Sequence, residues 1–373
     1  MTTVETGADE RTSTDATSAG RRADEPGRPS PRGTRTAVAA AVLVGALVMV
    51  LTIAAMAGST AIAPGDVWRI IGAHTLPWDV STEGIATSHD SIVWGIRLPR
   101  AVLAAVVGAT LAVVGAALQG IVRNPLADPA VLGGSSGAAV GAIIVLIAGV
   151  TPFGTWSLMV AAFVGSTLGY ALTLTLASRT GMLSPVRLIL AGVAVSYLLS
   201  AVANLLVATA DNPNEVRSVV FWQLGSTASA QWRTVVAPAV LLVAGTAVLL
   251  LRARVLNALL VGDETAASLG VRPDRVRRQL IVVVALLTAA AVALCGTIAF
   301  VGLVVPHAVR LVTGSDHTRV LPLSALCGAV FLAAADIAAR LVLEPQELPI
   351  GVVTALIGAP VFCVLVRRPL RDL

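Results

Sequence analysis

Apolar runs close to 20 residues long recur throughout this chain of 373 residues, and that repetition leaves it few possible folds. A bilayer core is crossed by about 20 helical residues, and backbone in contact with lipid must satisfy its own hydrogen bonds. Such runs occupy residues 37–58, 101–120, 131–150, 156–177, 188–207, 235–251, 321–342 and 350–366. Each is too long for a strand of a transmembrane barrel, which needs only about 10 residues. Charged residues make up 13% of the chain, against about a quarter in soluble domains. The sequence therefore predicts an all-α polytopic membrane protein.

Residues 280–311 form one apolar stretch that is too long for a single span and too short for two complete ones. Gly296, Gly302 and Pro306 interrupt it, which predicts a full helix followed by a short one starting near Phe300. Arginine placement supports this division. With the N-terminus inside, the outer side holds Arg69, Arg97, Arg100, Arg217, Arg233 and Arg340, and the inner side the other twenty of the 26 basic residues. Reading the stretch as one span lowers the bias to 16 against 10, so the positive-inside rule selects about ten spans with both termini cytoplasmic.

Residues 1–36, rich in Ser, Thr, Asp, Arg, Pro and Gly, are expected to form a disordered cytoplasmic tail ahead of a transmembrane domain over 37–373. Ala55-Met56-Ala57 imitates a cleavage site, but the run before it is too long and the tail too acidic for a signal peptide, so the first span is read as uncleaved.

No lysine occurs, so every basic residue is arginine. That excludes a nucleotide-binding P-loop and lysine Schiff-base chemistry in this chain. Cys295, Cys327 and Cys363 lie in apolar runs without CxxC spacing and read as small buried hydrophobes. His307 has no second ligand at metal spacing, and no HExxH or GxSxG occurs. No catalytic residue and no metal site is expected, and nothing points to nucleic acid.

Four stretches remain. Arg97-Leu98-Pro99-Arg100 precedes the second span on the side the arginine bias disfavours; it reads as snorkelling interfacial arginines or as a basic patch for an acidic partner. NPLADP (124–129) runs into Gly133-Gly134-Ser135-Ser136-Gly137, and Pro125 and Pro129 force a backbone break that reads as tight packing or as a gate. The largest internal loop, about residues 252–278, contains LNALLVGDETAASLGV (256–271). There Leu256, Leu259 and Leu260 share a face, and Asp263 and Glu264 suit the start of a second short helix. That loop lies on lipid or fits a groove on a protein partner. Finally, Asp336 and Arg340 are spaced to pair on one helix face.

In chain order, RLPR (97–100), LQGIVRNPLADP (118–129), RLILAG (187–192), FWQLGS (221–226), GDETAASLG (262–270), GTIAFVGLVVPHAVR (296–310) and ELPIGVVTALIGAPVF (347–362) closely resemble the permease subunits of the vitamin B12 and ferric-siderophore class of ABC importers, the FecCD-type family. The resemblance implies a type II importer permease that acts as a dimer with a second permease copy, identical or related. Its other implied partners are two cytoplasmic ATPase subunits, which hold the ATP and magnesium, and an extracytoplasmic substrate-binding protein. It also implies roles for particular residues. Arg97, Arg100 and Arg340 dock glutamates of the binding protein, and Asn124 and Leu126 belong to the cytoplasmic gate. Gly262, Asp263, Glu264, Ala266, Leu269 and Gly270 belong to the loop that couples to the ATPase. Pro185 and Val186 stand where the family carries a second polar constriction. The implied cargo is an iron chelate, a ferric siderophore or haem, with cobalamin as the alternative. An ion-coupled secondary transporter is the rival class; it calls for ionisable groups at mid-membrane, and Asp336 is nearly the only candidate.

Overall fold

The computed structural model describes residues 31–366 except Ser59, Thr180 and Gly181. The first thirty residues of the expected tail lie outside it. The chain enters as α1 (Pro31–Met56), followed by the short surface helices α2 (Pro64–Thr75) and α3 (Thr87–Asp90). A wide-turned π segment, Ser91–Arg97, then runs directly into α4 (Leu98–Val122). A 3-10 turn, Pro129–Leu132, precedes α5 (Gly134–Ala148), and α6 (Ser157–Ala177) follows. A small antiparallel pair, β1 (Ser178–Arg179) and β2 (Met182–Leu183), leads to α7 (Pro185–Ala208), α8 (Pro213–Gln223) and α9 (Trp232–Leu251). Two short helices, α10 (Ala253–Val261) and α11 (Asp263–Ser268), precede α12 (Pro273–Cys295) and α13 (Val301–Thr313). The bundle closes with α14 (His317–Leu341) and α15 (Ile350–Val366).

Seven of these segments are long and apolar enough to cross a membrane; α5, α13 and α15 are shorter apolar helices that complete a bundle of ten among the described residues. The long run of residues 280–311 divides as the arginine bias requires. Gly296 adopts φ 71°, a conformation open to glycine, and ends α12. Phe300 at φ 69° turns the chain into α13.

The bundle is built around α4. In the span containing it, 83% of the most apolar stretch is buried, against 11% for α1. Its residues are mostly Ala, Gly and Val, so neighbouring backbones come close, as van der Waals packing between membrane helices requires. A side chain at Gly115 would overlap the Gly302 carbonyl of α13, and one at Gly108 the Gly328 carbonyl of α14. The outer ring instead shows lipid-like faces, including exposed Leu190, Tyr197 and Leu205 on α7 and Leu356 on α15.

Boundaries differ from the sequence reading at several points, the first being α1, which begins at Pro31 inside the expected tail. RLPR does not precede the second span but lies within one continuous 36-residue helical segment, Thr87–Val122. Pro99 falls where the wide-turned segment passes into α4, and the Trp94 carbonyl five residues back accepts instead from Trp232 Nε1 at 2.7 Å. The next helix begins at Gly134 rather than near residue 131, because Pro129 and the Asp128 cap first enforce a 3-10 turn.

Candidate functional site

The three outer arginines, far apart in sequence, meet at one end of the bundle. Arg97 donates from Nη1 to the carbonyls of Ala55 and Met56, at 3.0 and 2.8 Å, and from Nη2 to Thr60 O at 2.8 Å. Arg100 donates from Nε to Asp336 Oδ1 at 2.9 Å and from Nη1 to the Glu347 carboxylate at 2.9–3.0 Å. Arg340 lies 3.3 Å from Asp336 Oδ2, one helical turn away, and donates to the carbonyls of Ala54 and Ala57. Asp336 also accepts from the Thr227 hydroxyl.

A single carboxylate, 1% exposed, thus holds two guanidinium groups, and the pair read from the Asp336–Arg340 spacing forms. The arginines are 6%, 7% and 9% exposed, so they are no free basic patch lying on the surface. They instead line a cleft of about 670 Å³ together with Glu344 and Glu347. The reason is geometric: α4 and α14 pack tightly, and arginines near their ends must find partners inside the contact. Glu347, half-exposed over Arg100, escaped the sequence reading although it begins the ELPIGVV motif.

The opposite end of α4 carries the NPLADP turn. Arg123 caps the helix at φ 54°, and Asn124 Oδ1 accepts from Leu126 N–H at 2.9 Å, closing a local side-chain turn. Asp128 Oδ1 accepts from Ala130 N–H at 2.8 Å, and the Tyr170 hydroxyl donates to Pro129 O at 3.0 Å. The backbone break is therefore satisfied by side chains, and Leu126 is left 43% exposed. Pro185 opens α7 at its first-turn position, and Val186 beside it is 65% exposed.

The predicted double-helix loop is present as α10 and α11, separated by Gly262 at φ 143°. Leu256, Leu259 and Ala266 face the bundle, while Val261 and Leu269 are 71% and 69% exposed. Gly270, at φ 81°, turns the chain out of α11 without the steric penalty other residues incur. Glu264 is exposed, whereas Asp263 is taken by Arg277 at 2.8 Å and by Arg123. Behind them Asn257 donates to Asp316 at 2.7 Å and accepts from His317 N–H at 2.8 Å. Burial works to raise the Asp316 carboxyl, but the donors Asn257 and Thr318 and the Arg319 charge outweigh it and hold it below its ordinary value.

The arginine cleft and the loop lie at opposite ends of α4 and α14, about 37 Å apart at 1.5 Å per residue over the 25 residues of α14. Between them, a cavity of about 320 Å³ opens between α5 and α7 beside the Gly296–Phe300 break. Ser135, Ser136, Ser200, Asn204, Gln223 and Thr297 line it, and among its lining residues none is charged. Asn204 is exposed on α7, which places an amide where lipid would not satisfy it. The sequence reading missed this wall; its one signal is Ser196, Ser200 and Asn204 repeating every fourth residue.

Ten closely packed apolar helices, a chain break at Gly296–Phe300 inside the bundle, a polar interior wall and a paired-helix loop at one end are features of a membrane permease. Residues 46–368 match the model of the FecCD transport family, and the chain belongs to that family. It is 45% identical over 313 residues to the cobalamin import system permease BtuC of Halobacterium salinarum, covering 80% of this chain and 82% of the relative. To the hemin transport system permease HmuU of Yersinia pestis it is 44% identical, covering 78% and 86%. A solved metal-chelate type ABC transporter in an inward-facing conformation shares the fold, with TM-score 0.77 and 31% identity over 88% of this chain and 98% of that one. The chain is a multi-pass permease of the ABC importer class.

Proposed function

We propose that this permease carries an iron chelate, a ferric siderophore or haem, inward across the cell membrane after delivery by an extracytoplasmic binding protein. Both termini and the α10–α11 loop face the cytoplasm. Two copies, or this chain and a related permease, enclose the path, and two ATPase subunits dock on the exposed Val261 and Leu269 side of the loop. ATP and magnesium belong to those subunits; this chain performs no covalent chemistry. The observation that carries this reading is the placement of an arginine cleft and a partner-shaped loop at opposite ends of the same two helices.

The geometry supports the following roles. Arg97, Arg100 and Arg340 offer their guanidiniums in a cleft shared with Glu344 and Glu347, and acidic side chains of the binding protein enter it as Glu347 swings off Arg100. Closure of the ATPases displaces the loop, and the Asn124–Leu126 turn opens in an alternating-access step. The cargo slides along the uncharged hydroxyl and amide wall of α5 and α7. A second reading, cobalamin as cargo, is favoured by the 45% identity to the archaeal relative.

The test is uptake by the intact complex in proteoliposomes with matched binding proteins. Haem or a ferric hydroxamate is expected to accumulate with ATP and to continue after ion gradients collapse. Uptake that dies with the gradient and ignores ATP would instead establish an ion-coupled carrier. Accumulation of cobalamin alone would establish the second reading. Reversing Arg97, Arg100 and Arg340 to Glu is expected to abolish binding-protein association; unchanged affinity at low salt refutes the docking assignment.

A further inference from the structure

Arg123 ends the central helix in the left-handed region, φ 54°, a conformation uncommon for residues with side chains. The turn itself is closed by the N–H groups of Arg123 and Asn124 on Gln119 O, and from it the Arg123 side chain reaches into the coupling loop. Arg123 Nε donates to Leu259 O on α10 at 2.7 Å, and its Nη2 pairs with Asp263, the first residue of α11. Both short helices therefore grip the residue that aims the chain into Asn124 and Pro125.

The same Asp263 oxygen accepts from Arg277 Nη2 at 2.8 Å. Arg277 is 1% exposed on α12, and it also donates to Leu183 O at 3.0 Å and Ile121 O at 3.4 Å. One carboxylate thus stands between a guanidinium fixed in the helical wall and another one peptide bond from the gate turn. Asp263 itself is 44% exposed, on the face that a docked partner approaches.

We propose that Arg123 and Asp263 are positioning residues, forming a clamp through which displacement of the α10–α11 loop is handed to the Asn124–Leu126 turn. The clamp rests on the importer reading above. When the loop shifts, Asp263 can follow it only by dragging Arg123 or by releasing Arg123 while keeping its bond to Arg277. Either motion releases the left-handed cap and lets the turn move. The clamp makes the turn a slave of the loop rather than an independently opening gate.

The experiment uses the complete complex in liposomes and reads cargo moved per ATP hydrolysed. Arg123→Gln is expected to lower that ratio at least about tenfold, with ATP hydrolysis within about twofold of the original and an unchanged melting temperature. Arg123→Lys should recover part of the ratio, and Arg123→Gln combined with Asp263→Asn should be no worse than the more severe single change. An unchanged ratio, additive losses, or transport and hydrolysis falling together with the melting temperature would overturn the clamp. A second reading uses the full chain alone in nanodiscs. There Arg123→Gln should speed hydrogen exchange at the Ala127 and Ala130 amides by about tenfold or more, and equal exchange sinks the proposal. If the original complex moves no cargo with ATP while the exchange difference persists, the importer reading fails and the clamp contact stands.

Discussion

Asp336 shows how much a single residue decides in an apolar bundle. It is 1% exposed and faces Arg100, Arg340 and Thr227 from one side chain. Removing it by Asp336→Ala leaves two nearly buried cations without their shared counter-charge, a change that costs about 3–5 kcal/mol for a broken buried pair. Its expected outcome is a large drop in the melting temperature of the purified chain. Glu347→Ala removes only a half-exposed partner of Arg100 and should cost about 1 kcal/mol or less. Comparable losses in the two variants would show that Asp336 is not the organising charge. The i, i+4 pair was legible in the sequence, since spacing alone places Asp336 over Arg340. Arg100 as its second partner was not, because 236 residues separate them and only the contact of α4 with α14 brings them together.

At the level of the element, α4 works because it is nearly bare of side-chain bulk where it crosses α13 and α14. Gly115→Leu forces a branched side chain into the Gly302 carbonyl of α13, and the helices must separate. Loss of monodisperse, folded protein in detergent is the expected result, whereas Gly45→Leu, with open space around it, should be silent. The α10–α11 loop has the opposite design. Its buried Leu256, Leu259 and Ala266 hold it to the bundle, and its outward Leu269 is free to enter a partner. Leu269→Asp should therefore leave the melting temperature of this chain unchanged and weaken ATPase assembly by about tenfold or more, measured by co-purification or surface binding. The two short helices and the glycine between them were readable from apolar spacing and the Asp263-Glu264 start. Which face stays outward emerged only once the loop had packed against α4 and α12.

For the whole molecule, the decisive matter is sidedness. Arg340 ends α14, and the loop contacts the other end of that helix through Asn257 and Asp316. In intact cells a cysteine at Ala267 is expected to stay unlabelled by an impermeant reagent until the membrane is permeabilised, and one at the exposed Val342 to label directly. The reverse pattern would invert the topology and remove the docking and coupling roles together.

The chain's apolar run lengths, its arginine bias and its seven ordered motifs determined by themselves that it spans a membrane about ten times, where the long run divides, and to which family it belongs. These are local properties, because lipid demands a full helical turn count and self-satisfied backbone wherever the chain crosses it. Only the tertiary structure decided that the three arginines are inward-bound, that an uncharged wall opens between α5 and α7, and that Asp263 grips the end of α4. Those depend on which helices touch, and small-residue surfaces carry little sequence signal for choosing a neighbour: alanine and glycine admit many close approaches, and the side chains left between two packed backbones settle which one is taken.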